Sequence, residues 1–301
     1  MGIISTWRKQ LRETFTDGAG TVQQWQLDFA KGDDVGYFPV DSAVWTVHTS
    51  MTPTVGGIRA LLLQALHPGA MAGVYAHSNF REEPLGRLAN TIRWIFTVTL
   101  GSKVAAKEGS DFVRQLHTRV HGTYVDSRGE EKPYSAADPD LVRWVHLAFT
   151  DAFSSAHSAY GGPVPGGTDR YVAEWAHAGE LMGLTDPPRS EAELRAQLAA
   201  FDGELTDSAQ VQETLRYIRR PPLPRSQRLG YRILFAGAVA TLEPKHRDLL
   251  GVKVPSLGPI PLPVRTAVRL VLGGIRLGLG PEGPAEIAAK ERIRRVGGPA
   301  A

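Results

Sequence analysis

His117 and His121, in the stretch RQLHTRVHG, stand four residues apart, the spacing that brings two imidazoles to one side of a helix. Such a pair can ligate a metal or can be two ordinary residues of a half-buried helix. No Glu follows the first histidine, so the zinc-protease pattern H-E-x-x-H is absent. His146, in VRWVHLAF, has Val142, Phe149 and Phe153 at i−4, i+3 and i+7, which turns it toward a core. Burying an imidazole there is costly unless its nitrogens find partners, so His146 reads as a bonded core residue or as a ligand. Three imidazoles from His117, His121 and His146 with one open position would suit zinc or iron. In GRLANT, Arg87, Asn90 and Thr91 share a face, which is either a polar pocket wall or a solvated surface. His67 and His77 flank Pro68 and read as helix-end residues, and His157 falls near the exposed end of its helix. His48 lies in a stretch without a periodic signature.

The elements that must position these residues read as helices throughout. Ile58, Leu61, Leu62, Ala65 and Leu66 follow a helical period, and Pro68 divides that helix from the next. Leu85, Leu88, Ile92, Ile95 and Phe96 mark another. GSDFVRQLHTRVHGTYV predicts a helix with Ser110 as N-cap and an apolar stripe of Phe112, Val113, Leu116, Val120 and Tyr124. DSRGEEKPYSA reads as a polar loop. The next helix starts at Asp138 as N-cap with Pro139 and Asp140 in its first turn, and ends at Gly161-Gly162. Further helices are predicted from Thr168, from Ser190 with Glu193 as a capping box, over 206–220 and over the remaining C-terminal segments. There is no alternating strand series, internal repeat or phosphate-binding glycine loop. The expectation is an all-α fold with residues 1–301 as a single domain.

Composition narrows the chemistry. At 301 residues, 42% hydrophobic and 22% charged, the chain can bury a large core. A formal net charge of +3 gives nucleic-acid binding no support. The absence of cysteine removes disulfides, thiolate zinc sites, iron–sulfur clusters, a cysteine nucleophile and thiolate-ligated haem, which leaves imidazole or carboxylate as metal ligands. No signal-peptide core precedes the charges that begin at Arg8, and no uncharged apolar stretch reaches spanning length, so a soluble, cytoplasmic protein is expected.

The order of the motifs carries more than any one of them. YFPVDSAVW, GGIRALLLQALHPGAMAGV with AHSNF, PLGRLANT, LHTRVHG, YSAADPDLVRWVH, YGG and LEPKHRDLLG together resemble the MpaB-type oxygenase or rubber-oxygenase catalytic-domain family over about 36–250, leaving 251–301 as a helical extension. The resemblance implies a globin-like helical core holding haem b, and a reaction of dioxygen with an apolar, unsaturated small molecule. It places His117 at the proximal iron ligand, with Arg114 one turn before it. It places Arg87, Asn90 and Thr91 on the distal helix, where latex clearing proteins have an Arg and then a Lys-Thr pair. Asn90 stands at the Lys position. An amide is a very poor iron donor, so Asn90 is expected to act through hydrogen bonds. His121 and His146 become supporting residues, and Arg114 and Arg87 become partners for haem propionates or bound oxygen.

Two other readings stay open on the residues alone: a non-haem metal enzyme using His117, His121 and His146, and a cofactor-free helical binding or accessory protein. In PVRTAVRLVLGGIRLGLG, Arg265, Arg269 and Arg276 recur among Val and Leu, as on an interfacial helix making peripheral membrane contact through 263–280 or on a helix covering the core.

Overall fold

The computed structural model describes residues 22–77 and 84–297, with the side chains of 77 and 84–89 outside the description. The all-α expectation holds: among the described residues 67% are helical, in fourteen α-helices with two small sheets. The helices run α1 (Gln24–Leu27), α2 (Ala43–Thr49), α3 (Pro53–Leu66), α4 (Pro68–His77), α5 (Pro84–Leu100) and α6 (Lys103–His117). A hairpin of β1 (His121–Val125) and β2 (Glu131–Ser135) separates these from α7 (Pro139–Tyr160), α8 (Gly167–Leu181), α9 (Glu191–Ala200) and α10 (Ala209–Arg219). Then come α11 (Arg225–Thr241), α12 (Pro244–Leu250), a two-rung hairpin of β3 (Ser256–Leu257) and β4 (Ile260–Pro261), α13 (Val264–Leu279) and α14 (Pro284–Arg295).

The core is built on α3 against α7. Helix α3 is buried nearly all round, as its uniformly apolar sequence requires. Gly56 lets the two backbones approach, since a Cβ there would fall 2.6 Å from a ring carbon of Phe153. One charge is enclosed with them. Arg59, 2% exposed, pairs with Asp151 of α7 and donates from Nε and Nη2 to the Thr241 carbonyl at 3.3 and 3.2 Å. That contact satisfies a C-terminal carbonyl of α11 and locks three helices together. Helix α7 starts as its sequence dictates: Asp138 Oδ1 accepts from the Asp140 amide at 2.9 Å, with Pro139 at the first helical position. Pro68 divides α3 from α4, and His67 caps the second, its Nδ1 accepting from the Gly69 and Ala70 amides at 3.2 and 3.4 Å.

The expected helix through RQLHTRVHGTYV is corrected. Helix α6 begins a full two turns before Ser110, with Ser102 as N-cap accepting from the Ala105 amide at 3.2 Å. It stops at His117, and the β-branched and aromatic run after it enters a hairpin instead. The segment read as a polar loop supplies the turn and the second strand. Asp126 Oδ1 accepts from the Arg128 and Glu130 amides at 2.8 and 2.9 Å, and Gly129 takes a left-handed φ of 82°. Tyr134, 6% exposed, anchors the hairpin in a small apolar cluster with Ala72 and Leu141. Phe112 and Leu116, expected on the buried stripe, are 61% and 42% exposed. His157 corrects in the other direction: it is buried, with Nδ1 3.0 Å from Thr52 Oγ1.

Candidate functional site

Helices α5 and α6 form an antiparallel pair joined by the short turn at Gly101-Ser102. Their register is set by Trp94, whose Nε1 donates to Ser110 Oγ at 3.2 Å. Two helical turns bring a helix back to nearly the same face. Two turns from Trp94 toward the N-terminus of α5 is position 87, and two turns from Ser110 toward the C-terminus of α6 is His117. Positions 87, 90 and 91 are thereby level with Arg114 and His117 across the seam between the helices. At Trp94 this seam is tight: Ser110 is fully buried, and a Cβ on Gly109 would meet Thr97 at 3.3 Å. Toward the far end of the pair this register puts the turn bearing Asn90 and Thr91 opposite the last turn of α6, where Asn90 and Arg114 are exposed and Thr91 and His117 are half-buried.

His117 is half-buried with its Nδ1 sealed from solvent. It also borders a recess of about 390 Å³ between the end of α6, the start of α7 and the turn after α8. Pro139 and Val142 contribute from α7, and Met182, Gly183 and Leu184 from the turn. That turn closes α8 in a Schellman motif: Leu184 N–H reaches the Gly179 carbonyl at 3.0 Å and Gly183 N–H the Glu180 carbonyl at 2.9 Å. Gly183 supplies the required left-handed φ of 96°. Its bare Cα face lies against Arg114, whose Nε would be 3.6 Å from a Cβ. Arg114 remains exposed at the rim, with Nη1 3.5 Å from Asp111. Lys107 donates to the same carboxylate at 2.6 Å, and that bond chiefly holds the Asp111 pKa below its ordinary value.

The other histidines separate from this group. His121 begins β1, exposed, so the expectation that it shares a helix face with His117 is corrected. His146 does face the core, 8% exposed, with its ring against Gly179 of α8. The partners expected for it are incomplete, because its Nε2 has no hydrogen-bond partner among the described residues. Burial holds its pKa down to about 4, with Arg143 adding to the effect, so the ring is neutral at neutral pH. Among the described residues no group of three or more His, Cys, Asp or Glu side chains could hold a metal ion. The three-imidazole arrangement of His117, His121 and His146 therefore has no geometry here. Arg87 lies on α5, with its side chain outside the described residues.

The sequence reading missed the third wall of the recess. Its signal was local: LMGL places a glycine just past a helix end, where it fixes the position of the two flanking apolar residues. It also passed over His48, which α2 buries at 1% exposure between Thr99 Oγ1 (2.8 Å from Nδ1) and Tyr171 OH (3.0 Å from Nε2).

The profile of one protein family, ER-bound oxygenase mpaB/B′/rubber oxygenase catalytic domain, matches residues 45–272. The chain belongs to this family. No curated protein and no solved structure matches it. The matched region of this oxygenase-family chain takes in α2, α6 and α7 and extends beyond the expected limit of 250 into α13. Helices α5 and α6 and all three walls of the recess therefore lie inside the matched domain. No helix of the described residues is long and apolar enough to cross a membrane.

Proposed function

We propose that this protein is a haem-b-dependent oxygenase that uses dioxygen on an apolar, unsaturated small molecule. The observation that carries the reading is the register of α5 on α6 set by Trp94 and Ser110, which puts the turn bearing Asn90 and Thr91 level with Arg114 and His117 in two helices of an oxygenase domain. These side chains have the chemistry a haem would use: an imidazole that could ligate iron, an amide and a hydroxyl that could donate hydrogen bonds, and a guanidinium that could pair with a propionate.

His117 is the residue that would hold the iron. It stands at the last turn of α6, just before the hairpin that begins at His121. Arg114, fixed against Gly183 and balanced by Asp111, would pair with a propionate at the rim. When bound, the haem supplies the iron centre that takes up and activates dioxygen. An amide is a very poor metal donor, so Asn90 would act through hydrogen bonds, with its amide N–H and the Thr91 hydroxyl as the donors available to a polar ligand. Val142, Met182 and Leu184 give the recess an apolar wall that excludes water from a hydrocarbon substrate.

Purified protein titrated with haemin should develop a saturable Soret band. His117→Ala should weaken haem binding at least tenfold while leaving the far-ultraviolet circular dichroism unchanged. Asn90→Leu should retain the Soret band and lose oxygen-dependent turnover of an alkene probe. No saturable uptake by the wild-type protein would end the reading.

A further inference from the structure

A second concentration of unusual side chains lies away from the seam, on α11, α13 and the hairpin between them. Residues 214–242 and 249–281 contain ten Lys or Arg and not a single Asp or Glu. In a chain whose formal net charge is only +3, this is strong segregation. Arg219, Arg220, Arg228, Arg232 and Lys253 converge on one groove of about 660 Å³, and all five are exposed. Among the described residues none of them has a carboxylate within ion-pair distance. The groove floor is apolar, with Tyr231, Phe235 and Val239 from α11.

Around this groove the surface carries large exposed apolar side chains. Leu257 and Ile260, at the tip of the β3–β4 hairpin, are 73% and 65% exposed. Leu270 and Leu277 on α13 are 73% and 75% exposed. They alternate with exposed Arg269 and Arg276, while Val268, Leu272 and Ile275 on the opposite side are buried. The three pieces are contiguous. A Cβ on Gly237 of α11 would lie 2.6 Å from Val268, one on Gly230 would lie 3.8 Å from Val271, and Leu262 N–H binds the Pro255 carbonyl beside the groove at 3.1 Å.

We propose that this face docks on an anionic lipid bilayer, with the five-cation groove taking a phosphate-bearing headgroup and the hairpin tip and α13 leucines seated among the acyl chains. Charge complementarity selects the partner. Arginines without counter-charges seek an anionic surface, and interleaved exposed leucines favour one with a hydrocarbon layer beneath it. A nucleic acid would leave Leu257, Ile260, Leu270 and Leu277 in water, and the groove's aromatics, Tyr231 and Phe235, are half-buried in its floor and not presented as a platform for stacked bases. The inference stands on this face alone and is independent of the haem reading.

The test is flotation of the full chain with vesicles of phosphatidylcholine alone and with 30% phosphatidylserine, at low and physiological salt. The expected result is salt-sensitive binding to the anionic vesicles only. The paired substitution Arg228→Gln with Arg232→Gln should reduce the partition constant about thirtyfold, from the contribution of each cation near a charged membrane. The paired Leu257→Ser with Ile260→Ser should also reduce it, without changing the melting temperature, since both side chains are already in water. Equal partitioning of wild type and both variants, no binding at low salt, or binding to a single-stranded oligonucleotide in place of vesicles would each overturn the proposal.

Discussion

The enclosed imidazole of His48 should make folding sensitive to mild acid in a way that one substitution removes. Its two nitrogens are bonded to Thr99 on α5 and Tyr171 on α8. Its ring stands edge-on to Trp175 at 4.4 Å and to Phe153 at 5.2 Å. Burial in that aromatic cage pushes its pKa down to about 3, and His157 nearby adds to the effect. In the unfolded chain the same group titrates near 6.5. The folded state therefore favours the neutral ring: its contribution is whole above pH 6.5 and declines as pH falls toward the folded value. The slope is about 1.4 kcal/mol per pH unit, so between pH 7 and pH 5 the loss from this residue alone is about 2 kcal/mol. Glutamine can keep a donor and an acceptor in the cage but cannot titrate there. Urea unfolding of wild type and His48→Gln at pH 7, 6 and 5 isolates the effect, because the carboxylates and the histidines other than His157 contribute alike to both proteins. The variant should start less stable and then lose about 2 kcal/mol less than wild type on acidification. Parallel stability curves would refute the reasoning, since they would mean that His48 is as easily protonated in the fold as out of it.

Two further outcomes follow from the core. Gly56→Ala should lower stability by about 1–3 kcal/mol, read as a drop in melting temperature, because its methyl group must displace the Phe153 ring. Asp151→Ala should cost about 3–5 kcal/mol in urea unfolding, because it strands the Arg59 guanidinium in a buried site, whereas replacing both residues by apolar ones should recover part of that loss.

What could be read from the chain was what its local chemistry settles. The start of α7 is one such case: an Asp-Pro-Asp triplet satisfies the first amides of a helix by itself, so no distant residue has a vote. The continuation past His117 was decided elsewhere. The run TRVHGTYV leaves the helix because Tyr134, well downstream, pairs with Gly122 and buries its ring against Ala72 and Leu141. Ser110 drew the N-cap assignment because serine is a good cap, but its hydroxyl is taken by Trp94 of the preceding helix. For the site, the order of motifs brought Asn90, Thr91, Arg114 and His117 into one group. Their shared level across the seam needed the Trp94–Ser110 register, and the wall from Met182 and Leu184 needed the turn at Gly183. The pairing of His117 with His121 was misleading because it assumed a helix that ends between them.

Arg292 is completely buried in α14, where it donates from Nη1 to the Phe29 carbonyl at 2.9 Å and from Nη2 to the Leu100 carbonyl at 2.8 Å. During synthesis those two carbonyls wait for a side chain encoded far downstream. At about 5–20 residues per second the interval between Leu100 and Arg292 is on the order of ten to forty seconds. Through that time the segment around Phe29 and the end of α5 lack the cation that joins them. The turn that joins α5 to α6 is therefore among the last parts of the molecule to gain its buried partner, although its own residues are made in the first third of the chain.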